Sequence, residues 1–262
     1  MSSFHLTKWY LDCVSDDGDL FIGYTASFRL GLITLPLAGA LRRRKGKLVS
    51  TTSVDWRRQR PIRKWESLDW RNRAIGVSGT WSPMAQAIDL LLLRTKDGSV
   101  RWTGVQPMSS VSLDPGDGDR MRGIGYAERV EMTLPPWKLG LSCLSWGRFL
   151  SPSVQVIWIE WDGKFACRKI LLNGSVLDDA ECTDCQIRLG KYGVLSLEPG
   201  EALRSGVIDE TVLVKIPLAR KLLPSSVRTI KETKWICRGR LVHTDVPEST
   251  GWVIHERVSF EG

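Results

Sequence analysis

The sequence has few of the segments on which membrane and exported proteins depend. No apolar stretch is longer than four residues, as in LLLL at 90–93, whereas a helix needs about 20 to cross a bilayer. The first twenty residues contain no apolar run of signal-peptide type. We therefore expect a soluble cytoplasmic protein, with a peripheral contact with a membrane as the alternative.

Histidine and paired cysteine are also scarce, which argues against a metal centre. The chain has three histidines and six cysteines, of which only Cys182 and Cys185 form a CxxC motif. A structural zinc site usually takes two such pairs, or one pair with histidines. No phosphate-binding loop, dinucleotide-binding fingerprint or supported Ser-His-Asp arrangement is present. We expect reduced cysteines, no metal and no cofactor.

Positive charge is concentrated in one segment. Residues 29–73 carry thirteen Lys and Arg against three acidic residues, a net charge of +10, so the remainder of the chain is −2. The simplest interpretation is a solvated basic loop with its neighbouring strands. The alternative is a contact of residues 42–73 with an anionic membrane surface. We do not expect a nucleic-acid partner, because no recognition helix or RNP motif accompanies the charge.

Alternation of apolar and polar residues predicts strands along most of the chain. Residues 20–30 alternate in this way, and similar segments recur at 74–81, 124–134, 154–161, 165–172, 192–197, 211–216, 235–243 and 252–260. Turn sequences such as DDGD, PGDGD and LNG separate them. This spacing predicts an all-β sandwich or barrel. The clearest helix candidate lies within 31–44, and residues 83–93 suit either a helix or a buried strand.

Pro135-Pro136 marks the predicted domain boundary. Proline lacks the N–H of the strand ladder and restricts the residue before it, so a central strand cannot continue through this pair. We predict an N-terminal barrel over residues 1–134 and a C-terminal barrel over residues 137–262. Each half is long enough for an eight-stranded antiparallel barrel. No sequence repeat relates the two halves.

Five short motifs carry a resemblance to a known family. They are DGDLFIGY at 17–24, GIGYAE at 123–128, LSWGRF at 144–149, VIWIEWDG at 156–163 and GWVIHE at 251–256. In this order they resemble the tandem lipocalin-like superfamily, which contains the carotenoid 1,2-hydratases (hydroxyneurosporene synthases) and the AttH-like proteins. The resemblance implies an all-β fold of two lipocalin-like (calycin-type) barrels in tandem, with a hydrophobic small molecule as ligand.

Two predicted strands each place one glutamate in an otherwise apolar row. Because strand side chains alternate between faces, Glu128 and Glu256 would each lie on the inner face of a barrel, and His255 on an exposed or inter-domain face. Burial disfavours the charged carboxylate, so we expect a raised pKa and a proton available near neutral pH. The alternative is a buried ion pair with an arginine, for which Arg148 is the candidate, and the pKa would then fall.

The resemblance also suggests roles for these residues. In the hydratases a tyrosine and an acid with the spacing Tyr-x-acid are implicated in protonation, and Tyr126 and Glu128 fit this spacing. We predict Glu128 as the acid, Tyr126 as its hydrogen-bonding partner and Glu256 as a second acid or base. The predicted ligand-binding residues are Tyr24, Trp146, Arg148, Trp158 and Trp252. The twelve tryptophans suit an aromatic cavity wall, or equally plugs at the barrel ends.

Three functions fit these features. The first is a cofactor-free hydratase, cyclase or isomerase, such as a carotenoid-hydratase-like lyase, that transfers a proton to an isoprenoid or polyketide-like substrate in a barrel cavity. The second is a non-catalytic lipocalin-like carrier of an apolar metabolite. The third is a scaffold with both barrels filled and the basic segment as its working surface. Comparing wild type with Glu128→Gln separates the first two, because only an enzyme loses product formation.

Overall fold

The computed structural model describes residues 4–116, 118–211, 224–243 and 248–260. The chain forms two compact units, of which the first ends at Lys138 and the second begins at Leu139. Among the described residues, the first unit contains ten strands: β1 (Phe4–Val14), β2 (Leu20–Leu30), β3 (Ile33–Arg44), β4 (Lys47–Val54), β5 (Ile62–Lys64), β6 (Ser67–Asn72), β7 (Val77–Pro83), β8 (Ile88–Thr95), β9 (Gly98–Asp114) and β10 (Met121–Met132).

The described part of the second unit also contains ten strands: β11 (Leu141–Leu150), β12 (Gln155–Gly163), β13 (Cys167–Leu172), β14 (Ser175–Leu177), β15 (Glu181–Cys182), β16 (Gln186–Arg188), β17 (Val194–Leu197), β18 (Glu201–Val207), β19 (Lys231–Val242) and β20 (Ser249–Ser259). Helical structure in the described residues is limited to short segments: Pro136–Lys138, Gly190–Tyr192, Ile208–Thr211 and Ser225–Arg228. None of the described helices is long and apolar enough to cross a membrane.

The two units have the same strand order. The sheet of the first unit runs β4-β3-β2-β1-β10-β9-β7-β6-β5, with β8 paired to β9. The sheet of the second unit runs β14-β13-β12-β11-β20-β19-β17-β16-β15, with β18 paired to β19. Each strand of the first sheet therefore has a counterpart ten strands later in the chain, and all the pairings are antiparallel. The duplicated topology is not visible as a sequence repeat.

The helix predicted within 31–44 is wrong, because this segment is strand β3. Pro36 is tolerated there because β4 pairs with β3 only from Leu37 onward. The carbonyl of Pro36 accepts a hydrogen bond from the N–H of Asp55 on the β4 side, and the nitrogen of a strand residue points to the same side as its carbonyl. The nitrogen of Pro36 therefore faces the β4 side, and its missing N–H removes no hydrogen bond between β3 and β2. Residues 83–93 contain the start of β8, so the strand alternative holds there. The predicted strand at 211–216 lies outside the described residues apart from Thr211.

Each curled sheet encloses an apolar core cluster. In the first unit the cluster takes residues from β1, β2, β3, β6, β7, β9 and β10, including Trp9, Leu11, Trp70, Trp81 and Ala127. Strands from both ends of the sheet contribute, so the cluster lies on the concave face. In the second unit the corresponding cluster includes Phe149, Trp158, Ile187, Cys237 and Val253.

Candidate functional site

The side chain of Glu128 is buried, but not on the face that we predicted. Its chain neighbour Ala127 belongs to the core cluster, and β10 pairs with β1 in unbroken register, so Glu128 and Tyr126 lie on the opposite face. The predicted placement of Glu128 on the inner face is therefore wrong. The alternation could not reveal this, because residues on both faces of β1 and β10 are buried: Tyr10, Leu11, Asp12, Cys13, Tyr126, Ala127 and Glu128.

Two neutral donors hold the carboxyl group of Glu128. The hydroxyl of Tyr126 donates a hydrogen bond of 2.6 Å to Oε2, and the indole Nε1–H of Trp102 donates one of 2.5 Å to the same oxygen. Tyr126 reaches it because residues two apart on a strand share a face. Trp102 lies on β9, two residues from Gly104, which is the cross-strand partner of Glu128. We call Glu128, Tyr126 and Trp102 the carboxyl site.

A row of directly paired residues crosses the sheet at the carboxyl site. Tyr24 on β2 pairs with Tyr10 on β1, and Tyr10 pairs with Glu128 on β10. Glycine flanks the row at each end. A Cβ at Gly39, the β3 partner of Tyr24, would lie 2.4 Å from the tyrosine ring. A Cβ at Gly104 would lie 3.0 Å from the indole of Trp102. The two glycines give these rings the space to lie against the sheet.

The surroundings of Tyr126 keep its hydroxyl protonated. Its side chain is fully buried, and its ring meets that of Tyr10 edge-on at a centroid distance of 6.1 Å. Burial raises the pKa of Tyr126 well above its ordinary value of 10.0, and the charges of Glu128 and Asp12 raise it further. Tyr126 is therefore a hydrogen-bond donor to Glu128 throughout the neutral range.

The carboxyl site places two hydrogen-bond donors on one oxygen of Glu128. Oε2 accepts two hydrogen bonds, from the hydroxyl of Tyr126 and the indole N–H of Trp102. Both donors stabilise the carboxylate form of Glu128, because a hydrogen bond to the charged form favours it. Hydrogen bonds to a charged group are worth about 1.5–3 kcal/mol each. The arrangement is suited to a group that alternates between acid and conjugate base.

Glu256 occupies the equivalent position in the second unit, in different surroundings. Ile124 pairs with Val14, the last residue of β1, and Trp252 pairs with Leu150, the last residue of β11. Glu128 lies four residues after Ile124, and Glu256 lies four residues after Trp252. Oε2 of Glu256 forms an ion pair with Nζ of Lys234, its partner on β19. Both side chains are largely buried. This contact favours the ion-pair hypothesis for Glu256, with a lysine in place of the expected arginine.

The predicted ligand-binding residues of the second unit are divided between the two faces of its sheet. Trp146 lies under the ammonium group of Lys234, 5.5 Å from Nζ to the ring centroid. Arg148 is fully buried and donates a hydrogen bond of 2.8 Å to the carbonyl oxygen of Trp252. Trp158 instead belongs to the core cluster. The structure therefore does not bring Trp158 together with Trp146 and Arg148 in one pocket.

Sequence reasoning missed His255, which lies on the core side of the second sheet. Its neighbour two residues away, Val253, is in the core cluster. The imidazole stacks on Trp235 with 4.9 Å between ring centroids and lies 6.4 Å from the ring of Trp158. These rings line a cavity of about 770 Å³ together with Glu160 and Cys182, among others. The prediction of an exposed or inter-domain histidine is wrong.

The pKa of His255 is lowered to about 4, first by burial and then by the positive charge of Lys234. The imidazole is therefore neutral near pH 7 and offers one donor and one acceptor to the cavity. The sequence placed His255 in the motif GWVIHE, but nothing in the motif shows that its aromatic partner comes from β19. Trp102 was missed for a similar reason, since its contact with Glu128 depends on the register of two strands.

Comparison with known proteins identifies the fold. No protein-family model matches the sequence, and no curated protein matches it significantly. Several solved structures match over 98% of this chain, among them the following three. Kievitone hydratase from Nectria haematococca has a TM-score of 0.55 at 10% identity over 89% of its chain. An AttH-like protein from Nitrosomonas europaea has a TM-score of 0.58 at 10% identity over 92% of its chain. CghA with Sch210972 has a TM-score of 0.54 at 11% identity over 89% of its chain.

These neighbours are tandem lipocalin-like proteins, so the chain has the tandem lipocalin-like fold. The predicted all-β class and the fold implied by the resemblance of the sequence motifs are both confirmed. At 10–11% identity the likeness establishes the fold alone, since one fold hosts many functions. Any function must therefore be argued from the residues of this chain.

Proposed function

We propose that this protein is a hydratase, cyclase or isomerase that transfers a proton between Glu128 and a hydrophobic substrate. The observation that carries the proposal is the buried carboxyl group of Glu128, with both Tyr126 and Trp102 donating to one of its oxygens. Any buried carboxylate needs hydrogen-bond donors, and here both donors are neutral side chains. A proton-transfer group benefits from them, because they favour the anion that forms when the proton leaves.

The proposed step needs only a proton and water, and so no cofactor. The carboxylic acid of Glu128 gives its proton to a carbon of a substrate double bond, and the electron pair of that bond forms the new C–H bond. The resulting cation takes up water in a hydratase, closes a ring in a cyclase, or loses a different proton in an isomerase. In each case the proton released returns to the carboxylate, so the enzyme is regenerated. Tyr126 and Trp102 stabilise that carboxylate meanwhile.

The proposed substrate is hydrophobic, of isoprenoid or polyketide type. The rings of Tyr10 and Tyr24 continue the row that starts at Glu128, and aromatic faces suit unsaturated hydrocarbon chains by area burial. The name of one structural neighbour, kievitone hydratase, agrees with the proposed class of reaction. The alternative is a carrier that binds an apolar metabolite without chemistry.

Deuterium incorporation tests the proposal even while the substrate is unidentified. The protein is incubated in D₂O with a panel of isoprenoid and polyketide-like alkenes, and mass spectrometry detects new C–D bonds. Wild type is expected to label at least one compound, and Glu128→Gln to abolish the labelling. The matched control is Glu131→Gln, the same change on the same strand. Glu131 lies on the other face in a partly exposed ion pair with Arg129, so its variant should remain active.

The outcomes separate the two functions. Labelling by wild type and Glu131→Gln but not by Glu128→Gln supports the enzyme. Binding of apolar compounds by all three proteins, measured by equilibrium dialysis, with no labelling by any of them, means that the protein is a carrier. Equal labelling by wild type and Glu128→Gln would show that another group transfers the proton.

A further inference from the structure

The segment between β4 and β6 exposes large apolar side chains among arginines. Trp56 is 69% exposed, Ile62 is 60% exposed and Trp65 is 97% exposed. Full exposure of an indole is unusual in a folded protein, because burying it would remove a large apolar area from water. Trp56 precedes Arg57 and Arg58 in the chain, and Trp65 follows Lys64. Exposed apolar and cationic groups therefore alternate along this segment.

The backbone at Trp65 shows that the indole does not serve the fold. Trp65 lies in the turn between β5 and β6 with φ of 55°, a left-handed conformation that glycine or asparagine adopts at lower cost. Its side chain gains almost no burial in return. A tryptophan in this place opposes the stability of the turn, which points to a role in contact with something outside the chain.

A basic groove lies beside these apolar side chains. It has a volume of about 950 Å³ on the outer side of β6, β7 and β9, and Ile62 lines it. Five arginines line it: Arg57, Arg58, Arg60, Arg71 and Arg120. Within residues 4–116, 118–211, 224–243 and 248–260, none of these five guanidinium groups forms an ion pair or a hydrogen bond.

The groove keeps an excess of positive charge. Its lining includes a sixth cation, Lys64, and two acids, Asp69 and Asp114, which gives a net charge of +4. Nζ of Lys64 lies 3.0 Å from the carboxylate of Asp69, so this pair is neutral overall. Asp114 accepts a hydrogen bond from the backbone N–H of Gly116. Ser78 and Ser112 add hydroxyl groups to the lining. Unpartnered guanidinium groups beside hydroxyls are typical of sites that take phosphate groups.

We propose that this surface, formed by the five arginines with Trp56, Ile62 and Trp65, docks on an anionic phospholipid bilayer. The arginines contact lipid phosphates, and the two indoles with Ile62 enter the region between headgroups and acyl chains. Indoles favour that interface, and basic side chains near an anionic leaflet strengthen binding by roughly five-fold each. A nucleic acid would also attract the arginines. It offers nothing to Ile62, however, which has no ring to stack on a base and gains only by leaving water.

Vesicle sedimentation tests the proposal, which does not depend on the proposed enzyme activity. The full-length protein is mixed with vesicles of phosphatidylcholine alone, or of phosphatidylcholine with phosphatidylglycerol, at low and at high salt. Binding is expected only to the anionic vesicles and should weaken as salt rises. Arg58→Gln with Arg60→Gln should reduce the partition coefficient by roughly 25-fold. Trp65→Asn, a change that suits the turn, should reduce it at low and high salt alike.

The control removes the same charge elsewhere on the first unit. Arg94 and Lys96 are exposed and lie outside the groove, so Arg94→Gln with Lys96→Gln should leave binding within about two-fold of wild type. Equal losses in both double variants would overturn the proposal, because binding would then depend on net charge alone. No preference for anionic vesicles would also overturn it.

A competition experiment separates the membrane from other anions. Inorganic phosphate and a short single-stranded RNA are added to protein bound to anionic vesicles. If the surface is a membrane site, Trp65→Asn weakens vesicle binding and millimolar phosphate does not displace the vesicles. Displacement by RNA, together with full vesicle binding by Trp65→Asn, would show that the groove binds nucleic acid and would refute the membrane proposal. Displacement by phosphate, with no effect of Trp65→Asn, would show a site for small anions and would refute it as well.

Discussion

Replacing Tyr126 by phenylalanine tests the chemistry of the carboxyl site with the smallest change. The substitution removes one hydroxyl, and with it the 2.6 Å hydrogen bond to Oε2 of Glu128. The ring contact with Tyr10 is kept, and Trp102 remains as the second donor. A hydrogen bond to a charged group is worth about 1.5–3 kcal/mol. The same bond to the neutral acid is worth about 0.5–1.5 kcal/mol. If Glu128 becomes an anion in the rate-limiting step, only the difference of about 1–1.5 kcal/mol is therefore lost, and the deuterium-labelling rate should fall roughly 5- to 13-fold.

The assay is the initial rate of labelling at saturating substrate, with Tyr192→Phe as the matched control in the second unit. Urea denaturation of both variants separates loss of catalysis from loss of folded protein. A rate for Tyr126→Phe within about two-fold of wild type would refute the reasoning, because the hydroxyl would then contribute nothing to the anion. Trp102→Phe removes the other donor and should cause a loss of similar size.

Two further predictions concern the second unit. Lys234→Met removes the ion pair between Nζ of Lys234 and the buried carboxylate of Glu256, so urea denaturation should show a loss of about 3–5 kcal/mol in the free energy of unfolding, most of it recovered when Glu256→Leu is added. Because the folded pKa of His255 is about 4, against an ordinary 6.5, the folded state binds fewer protons than the unfolded state between these values. The contribution of neutral His255 to the free energy of unfolding is therefore complete above pH 6.5 and is lost as pH falls towards 4. It amounts to on the order of 3 kcal/mol in all. His255→Asn should lack this part of the pH dependence, and identical pH profiles for variant and wild type would contradict it.

The fold was largely accessible from the sequence, because alternation is a local property of an extended backbone. Residues 20–30 were predicted as a strand and form β2 with the same limits. The segment 31–44 was misjudged because Pro36 and small residues such as Ala38 and Gly39 resemble a short helix. Strand pairing overrides that local preference, since β3 lies between two partners and the proline faces the side without a required bond.

The candidate site was only partly accessible. The spacing of Tyr126 and Glu128 placed both on one face, and the structure joins them by a hydrogen bond. The identity of the second donor, Trp102, depends on the pairing of β9 with β10, where register shifts interrupt the ladder. The ion pair of Glu256 with Lys234 likewise depends on the pairing of β20 with β19, and no spacing along one strand predicts it.

The order of amino acids was enough to establish where most strands lie, which side chains share a face of each strand, and where positive charge accumulates. Packing of the whole chain settled which of two buried faces encloses the core, and therefore that Ala127 and His255 turn toward it while Glu128 and Glu256 turn away. The two kinds of property differ in the sequence separation of the residues that determine them. The alternation of side chains follows from the geometry of neighbouring residues, whereas the direction in which a sheet curls and the partner opposite each residue depend on contacts between strands far apart in the chain.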